Sequence, residues 1–189
     1  VTVTNTGTDS DVSFNVVDAQ AGRIKITEEA GSDIEITYET QSPVQLGFEP
    51  IGDYNNIAFT GELDGDGHTI SGLTIDRGSA DYVGLFGWVD TGTIQNVGLE
   101  NVNIIGGDDV GAFVGYNQGT LTTSYASGSV TGTTYVGGLV GNNGDTVEDS
   151  YESGSVTGDS RVGGLVGLNK GTLTRSYANG SVSGNQEVG

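Results

Sequence analysis

The sequence predicts an all-β protein, a parallel β-solenoid with coils of about 26 residues, preceded by a small antiparallel β segment. Three observations carry that expectation. The hexapeptide Val136–Gly141, V-G-G-L-V-G, returns as Val162–Gly167, appears as V-G-A-F-V-G at Val110–Gly115 and begins again at Val188, always at the same interval. Such a period marks repeat architectures, in which each unit closes its apolar side against its neighbours. Glycine supplies 34 of 189 residues, far above the usual share of roughly 7%, and follows the same period, as corners of a coil would. Finally, short alternating runs lie between the glycines, and no stretch has helical periodicity, so the crossover helices of an ordinary parallel sheet are missing.

The elements follow in order. Residues 1–42 hold β-branched, alternating runs at Val1–Thr4, Val12–Val17, Arg23–Thr27 and Ile34–Glu39, separated by turn-forming residues. They read as hairpin strands, and so short a segment is thin for a core of its own. It is expected either to cap the first coil, hiding strand edges that invite aggregation, or to end a preceding β-sandwich. Residues 43–61 read as a connection in which Phe48, Ile51, Tyr54 and Phe59 plug the solenoid end. Residues 62–189 form the solenoid. Its first turn is Asp64–Gly67, its first strand Thr69–Ile75, and Val83–Gly87 is a one-residue-shorter form of the hexapeptide. Each regular coil then carries V-G-G-L-V-G, an Asn turn, a G-T-L-T-x-S-Y run and a G-S-V-T-G run, giving three short strands.

In a solenoid, residues one period apart stack into columns. Leu121, Val147 and Leu173, and Val130, Val156 and Val182, are expected inside, where burying each side chain contributes about 1.5–3 kcal/mol. Asn117, Asn143 and Asn169 form a turn column, suited to left-handed backbone and to hydrogen bonding along the axis. Tyr125, Tyr151 and Tyr177 form an aromatic column beside Ser124, Ser150 and Ser176, read as a stacked corner, with a platform for sugar or protein as the alternative. Thr123, Asp149 and Arg175 set opposite charges one coil apart. Strict alternation from Leu121 would turn them inward, so a bend is expected between Leu121 and Tyr125.

Six Lys and Arg against 25 Asp and Glu leave a net charge of −19. Such a surface excludes nucleic acid and anionic lipid as partners, since both need basic clusters. The acidity suits either high salt or divalent-cation binding, or the ordinary solvated surface of a secreted protein. With no cysteine there is no disulfide or thiolate metal site, and no apolar run approaches the ~20 residues of a membrane span. The opening residues do not read as a signal peptide, and the chain is expected to be an excised piece of a longer protein.

Candidate chemistry is sparse. His68, the only histidine, follows Asp64-Gly65-Asp66-Gly67. Zinc needs more His or Cys, and the calcium-loop pattern is incomplete, so Asp64 and Asp66 read as a turn, with Ca2+ as the one cofactor considered. Asp108-Asp109 is an acidic pair at a corner, and glycosidases use paired carboxylates in a cleft. Threonine pairs at Thr120/Thr122 and Thr172/Thr174 are interrupted by Glu148, which breaks the flat array that ice binding needs. Asn179-Gly180-Ser181 is a possible glycosylation acceptor.

Gly138-Leu139-Val140-Gly141 and Gly164-Leu165-Val166-Gly167, each followed by an Asn turn and S-Y-x-x-G-S-V-[TS]-G, resemble the GLUG-motif repeat. The stretch E-P-I-G, F-T-G-E-L-D-G-D-G-H-T-I-S-G-L and Y-V-G-L-F-G resembles the coils that precede such repeats. The likeness covers about Phe48 to Gly189. It implies a right-handed parallel β-helix in large secreted or surface-anchored proteins, adhesins among them, and it brings no catalytic residues. The expected function is a non-catalytic extracellular spacer or adhesion module. Its partners would be surface glycans, other proteins or, end to end, its own coils. The alternative is a carbohydrate-binding or carbohydrate-cleaving β-helix.

Overall fold

The computed structural model describes the backbone strands Thr2–Asn5 and Ile34–Thr37, and residues 47–54 and 57–189. It is a parallel β-solenoid of about five turns, with no helix among the described residues. Each coil runs through three faces, and every face is a parallel ladder. One stacks Thr69–Ser71 with Thr74–Asp76, Gly98–Ile105, Tyr125–Thr131, Tyr151–Glu152 with Ser155–Thr157, and Tyr177–Ala178 with Ser181–Ser183. The second stacks Asp108–Val110, Thr134–Gly137, Ser160–Gly163 and Gln186–Val188. The third begins at Glu62–Asp64 and continues through Phe86–Gln95, Val114–Thr122, Val140–Asn143 with Thr146–Glu148, and Val166–Asn169 with Thr172–Thr174.

The register is like over like. Val136 pairs with Val110 on one side and Val162 on the other. Earlier coils are longer: Leu63 pairs with Ile94 and Trp88 with Tyr116, both wider spacings than the regular period. Parallel pairing also reaches back into residues 43–61, where Ile51 bridges to Phe86 and Phe59 to Val89. Phe48, Ile51 and Phe59 are buried there, whereas Tyr54 lies outside and is 46% exposed. It therefore packs on the surface instead of plugging the end. Of the four amino-terminal runs, Thr2–Asn5 and Ile34–Thr37 pair antiparallel, and Ile34–Thr37 adds parallel to Thr69–Ser71. The runs Val12–Val17 and Arg23–Thr27 lie outside the described residues.

Period-two alternation fills the interior. Ile94, Leu121 and Val147 form one fully buried column, and Ile75, Ile104, Val130 and Val156 another. In the last coil Leu173 is 38% exposed and Val182 is half-buried. The bend expected after Leu121 falls at one residue per coil. Asp66, Asn96, Thr123, Asp149 and Arg175 all have φ between 49° and 54°. A single left-handed residue reverses the alternation, so its side chain turns outward although the position continues the apolar strand. Asn and Asp enter this region most readily; Thr123 and Arg175 occupy it because the coils stacked on them impose the register.

Candidate functional site

Three side-chain systems run along the solenoid. At the first corner Asn117 Nδ2 donates to Asn143 Oδ1, and Asn143 Nδ2 to Asn169 Oδ1, both at 2.8 Å. The same amides donate to the carbonyls of Gly119 and Asp145 two residues on. Asn117 and Asn143 are fully buried. These bonds satisfy the main chain at the corner between the ladder that ends at Asn143 and the one that begins at Thr146.

At the left-handed bend a serine column does the corresponding work. Ser150 Oγ accepts from Ser124 N at 3.2 Å, and Ser176 Oγ from Ser150 N at 3.1 Å. Each hydroxyl donates in turn to the carbonyl two residues earlier. Beside it, Tyr125 and Tyr151 stack at 5.1 Å with 5° between their planes, and Tyr151 and Tyr177 at 5.4 Å with 9°. The Tyr125 ring lies across Gly98, where a Cβ would stand 2.4 Å from its Cζ. The Tyr125 hydroxyl reaches Thr69 Oγ1 and donates to Glu100. Tyr177 is 58% exposed. Outward at the bend, Arg175 pairs with Asp149 at 2.6 Å and with Glu148, and its hydrogen bond holds the Asp149 carboxyl below its ordinary range.

The third system is an aromatic corner. Tyr82, Asp109, Tyr135, Arg161 and Glu187 form one column, every member at positive φ between 51° and 59°. Trp88, Tyr116, Asn142 and Leu168 form the facing column. A glycine seam separates them: a Cβ on Gly115 or Gly141 would stand 2.5 Å from the carbonyl carbon of Tyr82 or Asp109. With no side chain possible in the seam, the two columns rise on either side. Tyr54 docks here, stacked on Tyr82 at 4.5 Å, with Trp88 at 5.2 Å and Tyr116 at 6.1 Å. Trp88 Nε1 donates to Gln118. Farther along, Arg161 lies 5.1 Å over the Tyr135 ring and pairs with Glu187 at 2.7 Å. Burial, then the charge of Asp109, pushes the Tyr82 phenol up.

The four acidic candidates do not converge. Asp64 accepts from Asp66 N, Asn96 and Gln95, and the Asp66 main-chain bond, with Asn96 and Gln95, holds its carboxyl low. His68 Nδ1 donates to Gly65 O, which closes the turn. No group of three or more His, Cys, Asp or Glu side chains suited to a metal ion occurs among the described residues. Asp108 is half-buried, and its main-chain N donates to Asp81. Asp109 is 7% exposed, and burial pushes its carboxyl up to about 6.

Sequence reasoning reached the asparagine and tyrosine columns but missed the aromatic corner. Its rings belong to the longer early coils, where partners lie farther apart than the regular period, and its column changes residue type along its length. Trp88, the single tryptophan, was the available signal.

The chain is similar to part of halomucin. The match to that protein of Haloquadratum walsbyi is 50% identical over 106 residues, 54% of this chain and 1% of halomucin. A putative Gly-rich membrane protein of Evansella cellulosilytica is 37% identical over 93 residues, 47% of this chain and 10% of that protein. The chain thus spans a small fraction of the curated relatives it matches. No family model and no solved structure matches.

Proposed function

We propose that this segment is a non-catalytic structural module, a rigid repeat spacer of an extracellular, cell-surface or envelope protein, with repeats of the GLUG type. The observation that carries the reading is the set of axial ladders. Asparagine amides, serine hydroxyls, stacked tyrosines and apolar columns each join one coil to the next. Bending such a rod breaks all of them together. With coils about 4.8 Å apart, the fold advances roughly 0.2 Å per residue, against roughly 3.3 Å for extended chain. It exchanges reach for stiffness. The similarity to small parts of halomucin and a Gly-rich membrane protein supports a place on large envelope proteins.

The chain has no cysteine, so introduced labels are unambiguous. Glu62, Thr93, Thr120, Thr146 and Thr172 stack in one column, which places residues 62 and 172 about 19 Å apart at ~4.8 Å per coil. Spin labels at Glu62→Cys and Thr172→Cys should give one narrow distance distribution; a broad one would defeat the stiff-spacer reading. Polysaccharide turnover lost in an Asp108→Asn/Asp109→Asn variant would defeat its non-catalytic part.

One observation favours a second reading, carbohydrate binding: the outward rings of Tyr54, Tyr82, Trp88 and Tyr116 offer stacking faces beside Gln118. Saturable change of Trp88 fluorescence with neutral oligosaccharides would support it, and an unchanged spectrum would exclude it.

A further inference from the structure

Two buried oxygen atoms at the aromatic corner have no hydrogen-bond partner, Asp109 Oδ1 and Asn142 Oδ1. Their residues are 7% and 8% exposed. The residues belong to successive coils and meet at the glycine seam, where Gly141 stands against the main chain of Asp109 and Val110. An ionised carboxylate is an acceptor only, and an amide oxygen likewise. The Asn142 side chain hydrogen-bonds Asp109, so the two acceptors lie on a bonded pair of side chains, and each lacks a hydrogen atom. Both oxygens are shielded from solvent.

We propose that Asp109 and Asn142 hold a proton jointly. Protonated Asp109 donates from Oδ1 to Asn142 Oδ1, and the Asn142 amide donates back to the other carboxyl oxygen. The resulting acid–amide pair ties one coil to the next beneath Tyr82 and Tyr116. The proton comes from solvent, and no covalent bond changes. The surroundings favour it: burial first, then the charges of Asp108 and Asp81, raise the affinity of Asp109 for a proton. The Asn142 hydrogen bond and, more weakly, Lys170 oppose them. The other ionisable side chains of this corner are those of Tyr54, Tyr82, Tyr116 and Tyr135, with Arg161 and Glu187 farther along the Asp109 column. Among the described residues Asp109 belongs to no ion pair.

The link is a pH-dependent staple. The folded carboxyl titrates at about 6 and its reference value is 3.8. Its contribution is complete below the reference value and is lost as pH rises through about 6. At higher pH the corner holds a buried, ionised carboxylate, and Asn142 Oδ1 is left without a donor.

Asp109→Asn keeps a donor between the two positions at every pH. Among the described residues the other buried carboxyl is Glu152, 3% exposed, so the test silences it and compares the unfolding equilibria of Glu152→Gln and Glu152→Gln/Asp109→Asn proteins from pH 4 to pH 7.5. The singly substituted protein, which retains Asp109, should lose stability relative to the doubly substituted one by about 100-fold in the unfolding constant, given tenfold per pK unit. Parallel profiles would overturn the proposal. Carboxyl 13C and side-chain amide shifts of the wild-type chain supply a readout that does not depend on the variant folding. Asp109 and the Asn142 amide should titrate together near pH 6. A midpoint near 4, or an Asn142 amide indifferent to the titration, would overturn it.

Discussion

Glu152 stands where the repeat wants alanine. Its column reads Leu99, Ala126, Glu152, Ala178, and its side chain is turned into the interior, 3% exposed. The chain accommodates it by glycine: a Cβ on Gly138 would stand 2.3 Å from Glu152 Cγ. One carboxyl oxygen accepts from Gly154 N, while Oε2 has no partner. Burial pushes this carboxyl up, partly offset by the Gly154 bond. A carboxyl raised in the folded state contributes most below its unfolded value of 4.5 and costs stability as pH rises through the folded value. Glu152→Ala removes a methylene and the carboxyl carbon, about 1.6 kcal/mol at ~0.8 for each carbon, and relieves an unpartnered buried oxygen, about 1–3 kcal/mol. These nearly cancel at pH 4. At pH 7.5 the unpartnered oxygen is charged, which costs more than a neutral one, so the variant should be the more stable there, with a melting temperature higher by about 2–4 °C for each kcal/mol gained at this size. Glu152→Gln keeps the shape and should recover the pH-dependent part alone. Thermal melts by circular dichroism at the two pH values decide the matter. A pH-independent difference, or net destabilisation at pH 7.5, would refute the argument.

The remaining predictions concern the ladders and the charge. Asn143→Ala removes the centre of the asparagine column, taking an acceptor from the buried Asn117 amide and a donor from Asn169; denaturant titration should show a loss of about 2–3 kcal/mol. Leu121→Ala should cost about 2–5 kcal/mol, and the same change at the 38%-exposed Leu173 clearly less. Equal losses would mean that the last coil is covered in solution. Gly128 has φ +127°, and an added Cβ would stand 2.3 Å from Val102 O, so Gly128→Ala should cost more than about 1 kcal/mol from strain, read from the same denaturant titration. With a net charge of −19, raising NaCl from 0.05 to 0.5 M as two test conditions should screen self-repulsion and lift the melting temperature by about 2–4 °C, near 1 kcal/mol.

The repeat itself was legible because it rests on identity between distant positions. Val110, Val136, Val162 and Val188 recur at a fixed interval, and stacked coils demand that each such position meet the same surroundings. The columns of Leu121 and Val130 followed from the same period, which sets apolar residue over apolar residue. The longer coils before Val110 were less legible, since Trp88 and Tyr116 share a column without sharing the period or a residue type.

Sequence by itself therefore determined the coil, its glycine corners and the apolar stripe, because local pattern and period are written into the order of residues. Tertiary structure decided which polar residues became buried. Left-handed backbone at Thr123 and Arg175 turned their side chains out, whereas Glu152 and Asp109 were taken in. The physical reason is register: once coils lock above one another, each side chain's direction is set by its neighbours' backbone, whatever its own preference for water.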